Sequence, residues 1–164
     1  MTIDPFHAHD HAGCISSGLK MAERQCAAEG LQFTPVRRRV LEILLGEHKA
    51  LGAYDILEVL RAEGLGAQPP VAYRALDFLV SHGLAHRIEH LNAFIACMHT
   101  GQSHAPAFLI CRSCKRVVEA DTDPGAGELA RAADDAGFTI ERTVREALGL
   151  CSGCRAGDAA GAPA

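Results

Sequence analysis

No run of apolar residues in this 164-residue chain approaches the roughly 18 that a membrane-spanning helix needs, which excludes a helical span. The opening residues, MTIDPFHAHDHAG, lack the basic stretch and following apolar stretch of a secretory signal, so a cytoplasmic protein is expected. A net positive charge is also missing: the formal charge is −4, from 16 Lys+Arg against 20 Asp+Glu. Nucleic-acid-binding domains often carry a strong positive field, so DNA binding would have to rest on local charge. Arg37, Arg38 and Arg39 form the only basic cluster. An even cysteine count is absent too. Seven cysteines with no export signal do not read as a complete disulfide framework. In a reducing compartment, clustered cysteines are better read as metal ligands.

What is present divides the chain into parts. Its length fits one domain or two small ones with thin cores. Residues 1–15 read as a flexible tail, in which His7, His9 and His11 would bind metal only weakly because that contact alone would have to order the tail. A helical pattern runs from Ser16 to Glu29, and Gly30 stops it. Thr34 followed by Pro35 is a helix start, with Val36, Val40, Leu41, Ile43, Leu44 and Leu45 at core-facing spacing. A third helix spans Ala53 to Glu63 and is broken by Gly64 and Gly66. Pro69 and Pro70 open a fourth, which Gly83 ends. Its stripe is Ala72, Ala75, Leu76, Leu79 and Val80, with Tyr73, Arg74 and Asp77 off it. Strand-like segments at Leu84–Leu91 and Ala93–Met98 follow, joined around Asn92. Helices followed by a hairpin is the winged helix-turn-helix order, assigned to residues 16–99.

Residues 100–106 read as a hinge. The segment 107–155 reads as strand (Ala107–Cys111), CxxC turn, strand (Arg116–Ala120), helix (Gly127–Ala136), strand (Phe138–Leu148) and a second CxxC turn. Residues 156–164 read as a disordered tail on composition. The expected fold class is α+β: an N-terminal winged helix followed by a C-terminal α/β domain.

Cys111 and Cys114 pair with Cys151 and Cys154 as two CxxC turns, which supply the four thiolates of a tetrahedral structural zinc site. The 36 intervening residues exceed zinc-ribbon spacing, but a strand-helix-strand unit would bring the second turn back to the first. Two redox dithiols or an iron–sulfur cluster are the competing readings. The redox reading needs a helix opening from a CxxC turn, which the sequence pattern does not show.

A second set is scattered about the hinge: His86, Cys97, His104 and Glu119. A metal held by these would fix the relative orientation of the two halves. A thiolate with imidazoles suits zinc better than magnesium or manganese. On the residues alone, each histidine could equally be a surface residue and Cys97 a buried apolar thiol. His86-Arg87-Ile88-Glu89-His90 matches the H-x-x-E-H string of a metalloprotease class. That chemistry needs a helix. On a strand, positions i and i+4 lie roughly 13 Å apart and cannot share an ion. The zinc-deaminase signature is missing as well, because Ile110 precedes Cys111. No candidate general base sits beside an open zinc site, so an enzyme is not expected.

GLQFTPVRRRVLEIL, AYDILEVL and PPVAYRALDFLVSHGLAHRIE together resemble the DNA-binding half of the ferric uptake regulator family, and the CxxC turns resemble its structural zinc site. The resemblance covers about residues 16 to 155. Within the family the chain is most similar to the zinc uptake regulators, through PP-x-x-YRALDFL and the ligand series His86, Cys97, His104 and Glu119. The stretch CMHTGQSHAPAFLIC departs from the dense histidine and aspartate string of iron and peroxide sensors: it keeps only His99 and His104, and His99 could stand in for His104.

The resemblance implies a homodimer formed through the C-terminal half. It implies two zinc ions per subunit, one structural and one regulatory, with double-stranded operator DNA as partner and no membrane or small-molecule substrate. It implies a repressor of zinc-uptake genes whose recognition helix follows Pro70. Arg74 would read guanine, and Tyr73 would contact a thymine methyl or phosphate or else be a half-buried wing contact. Arg37, Arg38 and Arg39 would meet phosphates, unless one or two of them are solvated surface charge. An iron- or manganese-sensing member of the family, or a zinc-stabilised protein-binding adaptor, are the rival readings.

Overall fold

The computed structural model describes residues 11–47, 49–101, 105–122, 127–141 and 143–159. Helix α1 (His11–Ala28) starts inside the segment expected to be a flexible tail. The reason is Ile15, which packs against the helical core and carries the helix back past Ser16. His7 and His9 lie outside the described residues. Thr34 caps α2 (Pro35–Leu45), accepting the Arg37 amide on its hydroxyl at 3.4 Å, with proline at the first helical position. Asp55 takes the Gly52 amide at 2.9 Å and starts α3 (Ala53–Ala62). Helix α4 (Pro69–Ser81) opens on the two prolines, which occupy its first two positions. Leu44, Ile56, Leu60, Leu76 and Leu79 are fully buried where these helices meet.

Gly83 determines how the helices enter the wing. Its φ of +67° is a left-handed conformation that glycine adopts without steric cost, and it lets the Leu84 amide bond back to the Leu79 carbonyl at 2.8 Å. The chain then enters β1 (Ala85–Ile88), which pairs antiparallel with β2 (Ala93–Ala96), His86 opposite Ile95. Asn92 turns the hairpin at φ 47°. Leu51 and Phe94 exchange both backbone hydrogen bonds, at 2.9 and 2.8 Å, which sews the wing to the loop before α3.

The second half is a sheet of order β4-β3-β5, made of β3 (Ala105–Cys111), β4 (Val117–Thr122) and β5 (Arg145–Gly149). Strands β3 and β4 are antiparallel across the first CxxC turn, while β5 returns parallel to β3 after α5 (Glu128–Asp135). Two expectations need correction here. The strand expected over Phe138–Leu148 is only Arg145–Gly149, because Gly137 and Phe138 are spent capping α5, the Phe138 amide bonding the Ala133 carbonyl at 2.8 Å. The second CxxC turn also does open a helix, α6 (Ser152–Ala159), which takes up residues 156–159 of the expected tail. Its first bond runs from the Arg155 amide to the Cys151 carbonyl at 2.9 Å.

The halves share a small core. Ile88 and Ile95 of the wing are buried against Phe108, Ile110 and Val117 of the sheet. On the opposite face of β3, Leu109 is 41% exposed beside exposed Ala147. No helix among the described residues is long and apolar enough to cross a membrane.

Candidate metal centres and nucleic-acid face

Parallel pairing reunites the two CxxC turns. Cys111 ends β3 opposite Gly149 of β5, so both strands leave the sheet at the same edge. The Arg112 amide donates to the Gly149 carbonyl at 2.8 Å and extends the ladder by one bond. One atom each of Cys111, Cys114, Cys151 and Cys154 then lies within 4.8 Å of the others. Cys114 Sγ and Cys151 Sγ are 3.8 Å apart. Four thiolates about 2.3 Å from a tetrahedral zinc lie about 3.8 Å from one another, so the cluster fits that ion.

The electrostatics agree. The Cys151 amide donates to Cys111 Sγ at 3.4 Å, and with the Cys114 and Ser113 amides it holds the Cys111 thiol down to about 6. At Cys154 a contact with Ser113 favours the thiolate. Sharing with Cys151, Cys114 and Cys111, together with desolvation, outweighs it and pushes that thiol up to about 11. Four thiolates this close cannot all ionise without a cation among them, which a divalent metal supplies. The helix opening at Ser152 removes one sequence argument against a redox pair. The approach of all four sulfurs, rather than two and two, favours a single metal centre.

The second cluster straddles the halves. His86 on β1, Cys97 just after β2 and Glu119 on β4 each offer one ligand atom within 4.8 Å of the others. Cys97 is placed by its own backbone, whose amide donates to the Leu84 carbonyl at 3.0 Å. His86 Nε2 lies 3.3 Å from Glu119 Oε1, and the Glu119 side chain is 1% exposed. Oε2 of Glu119 accepts the Met98 amide at 2.9 Å. Burial, and then the Glu119 charge, push the Cys97 thiol up to about 11, against the opposing pull of the His99 amide and the Thr100 hydroxyl. Sulfur, imidazole and carboxylate make a zinc-type donor set. His104 lies outside the described residues. His99 places Nδ1 3.5 Å from Glu119 Oε1 but is not one of the three converging groups. The protease-like string lies on β1 and the turn after it, with no helix to bring His86 and His90 to one face.

On α4, Tyr73 is 41% exposed and Arg74 is exposed, its Nε donating to the Pro70 carbonyl at 3.3 Å. The three arginines of α2 have separate fates. Arg37 lies 3.7 Å over the Phe78 ring and bonds the Gln32 carbonyl. Arg38 pairs with Glu23. Arg39 is held in a fork by Glu63, at 2.7 and 2.6 Å, with Glu42 3.0 Å away. The role expected for Arg39 on phosphate therefore meets a competing one, bracing α2 against the end of α3. The sequence reading missed this pairing, and it missed Glu146, whose carboxylate accepts the Glu89 and His90 amides.

A winged helix joined to a small sheet, with one cysteine cluster inside the second half and a mixed cluster between the halves, defines a metal-binding winged-helix protein. The sequence profile of the ferric uptake regulator family matches residues 28–145, and the chain belongs to that family. It is 36% identical over 137 residues to the zinc uptake regulation protein of Escherichia coli K12, covering 83% of this chain and 80% of that protein. Among solved structures it resembles a zinc uptake regulator complexed with zinc and DNA, with TM-score 0.83, 35% identity, and coverage of 88% of this chain and 97% of that one. It also resembles holo XcZur, at TM-score 0.77 and 37% identity over 85% and 98% of the two chains. Against apo XcZur, at the same 37% identity over 87% and 99%, the TM-score is 0.50.

Proposed function

We propose that this protein is a zinc-responsive transcriptional repressor, which binds operator DNA as a homodimer with two zinc ions per subunit and silences zinc-uptake genes. The observation that carries the reading is the convergence of His86, Cys97 and Glu119 from the two halves of the chain. The better match to the holo than to the apo form of XcZur supports reading the arrangement of this chain as the metal-loaded one.

Cys111, Cys114, Cys151 and Cys154 hold the structural ion. His86, Cys97 and Glu119 hold the regulatory one, with His104 as fourth ligand. Two neutral imidazoles, a thiolate and a carboxylate cancel the charge of a divalent ion, which keeps the cost of burying it low. Bound there, zinc cross-links wing and sheet. The apolar outer face of β3, around Leu109, is the surface the dimer would cover. Fixing the wing on a dimerised sheet sets two α4 helices at a separation matched to successive major grooves, about 34 Å apart.

In this reading α4 enters the groove. Arg74 reads guanine, Tyr73 contacts a thymine methyl or phosphate, and Arg37 and Arg38 meet phosphates. Arg74→Ala is expected to lower affinity for a selected operator about tenfold or more, and affinity for random duplex less than about threefold. Equal losses on both, measured by fluorescence anisotropy, would remove Arg74 as a base reader.

The pH response of the regulatory site follows from Cys97. With its thiol pushed up to about 11, the metal-free protein keeps that proton at neutral pH and zinc must displace it. Apparent zinc affinity should therefore rise about tenfold per pH unit from about pH 7 to about pH 9. Competition against a zinc-sensitive dye reads the slope, and a flat profile contradicts thiolate ligation by Cys97.

The experiment that tests the function is operator binding at buffered free metal, on a duplex selected from a randomised pool. Zinc should support binding with a steep salt dependence, and at lower free concentration than manganese(II) or anaerobic iron(II). Binding driven by iron or manganese but not by zinc would overturn it.

A further inference from the structure

Glu119 of β4 and Glu146 of β5 are both register partners of Phe108 on β3. Register partners share a face of the sheet, so the three form one row across it. This face meets the wing: Phe108 is buried with Ile88 and Ile95, and its ring centroid is 5.3 Å from that of His86. The row ends in Glu119 and Glu146, whose backbones lie about 10 Å apart at two strand spacings. Each grips backbone of the other half. Glu119 accepts the Met98 amide at 2.9 Å, while Glu146 accepts the Glu89 amide on Oε1 at 2.6 Å and the His90 amide on Oε2 at 2.9 Å. Strand β1 crosses the row, with His86 at the Glu119 end and the turn after Ile88 at the Glu146 end. Only the Glu119 end belongs to a metal-ligating cluster among the described residues.

We infer that Glu146 is a positioning residue for the regulatory metal: a metal-independent clamp that holds the wing turn on the sheet from the far end of the row. Both its oxygens are taken by N–H groups, a charge-assisted, two-point grip. Holding the wing there raises the fraction of metal-free chains in which His86 and Cys97 already face Glu119. Apparent affinity scales with that fraction, so a residue that touches no metal sets the zinc concentration at which the protein responds. The inference rests on the functional reading above.

The test is Glu146→Ala and Glu146→Gln in the full-length dimer. It uses zinc competition and cobalt(II) titration, in which Cys97-thiolate charge-transfer absorption reports the regulatory site. Alanine should weaken regulatory zinc binding about tenfold. Glutamine, which keeps one acceptor for two donors, should weaken it about threefold. The four-cysteine zinc should stay bound. Operator affinity at saturating zinc should remain within about twofold of wild type, because excess metal closes the wing regardless.

An unshifted zinc midpoint in the alanine variant overturns the clamp. So does a loss of operator affinity that excess zinc fails to restore, which would place Glu146 in the fold or the DNA-bound form instead. Wild-type operator binding that ignores the regulatory metal would sink the functional reading alone, because the zinc competition still reads the clamp without DNA.

Discussion

Cys111→Ser is expected to yield a chain that no longer dimerises, loses zinc from both sites and binds operator at least about a hundredfold more weakly. The reason is the thinness of the second half. Its buried cluster of Phe108, Ile110 and Val117 is completed by two isoleucines borrowed from the wing. Its third strand is five residues long and joins the sheet only by parallel pairing to β3. Structural zinc supplies about 10–16 kcal/mol of apparent folding energy in small domains, as much as a whole domain's net stability of about 5–15 kcal/mol. Serine at position 111 offers no thiolate and leaves three crowded sulfurs without their ion. Loss of the sheet then removes Glu119 from the regulatory site. Size-exclusion chromatography with metal analysis and a melting curve would read the outcome. A stable, zinc-responsive dimer would rule out the structural assignment of this site.

Cys97→Ser is expected to do nearly the opposite: the dimer stays folded, the four-cysteine zinc stays bound, and the zinc response disappears. Cys97 is 4% exposed and its backbone is tied to Leu84, so a near-isosteric serine keeps the packing. The hydroxyl does not ionise at neutral pH and is a poor zinc ligand. Groups that merely hydrogen-bond to metal ligands change affinity about 10–100-fold, and loss of a ligand should exceed that. Circular dichroism and size exclusion would verify the fold, and zinc competition would show one tight ion per chain. If operator binding still tracked free zinc as in wild type, the regulatory site would lie elsewhere.

Both predictions use residues legible in the sequence, and the reason is local. Proline and glycine punctuate the backbone by their own conformational limits, so Pro35, Pro69 and Gly83 marked helix ends that the structure keeps. The CxxC turns were visible because both ligands of each fall within one turn. Their union across 36 residues needed only a strand-helix-strand unit to bring them back.

What escaped was long-range. Nothing near Arg39 in sequence announces Glu63, 24 residues away, and nothing near Glu146 announces the Glu89 and His90 amides. Such pairings are set by how elements dock. The start of α1 at His11 escaped for a related reason, since Ile15 is helical through packing on a distant core rather than by propensity. Strand β5 was overextended because apolar residues after Phe138 look strand-like until Gly137 commits that corner to capping α5.

The central claim is that an ion gripped from both halves decides whether DNA is bound. The most direct measurement is zinc content per chain and operator affinity, taken together at fixed salt, before and after treatment with a mild chelator. The account predicts that content falls from two ions to one, that the dimer persists, and that operator affinity collapses and returns when zinc is added back. Removal of one ion with operator affinity unchanged would contradict it.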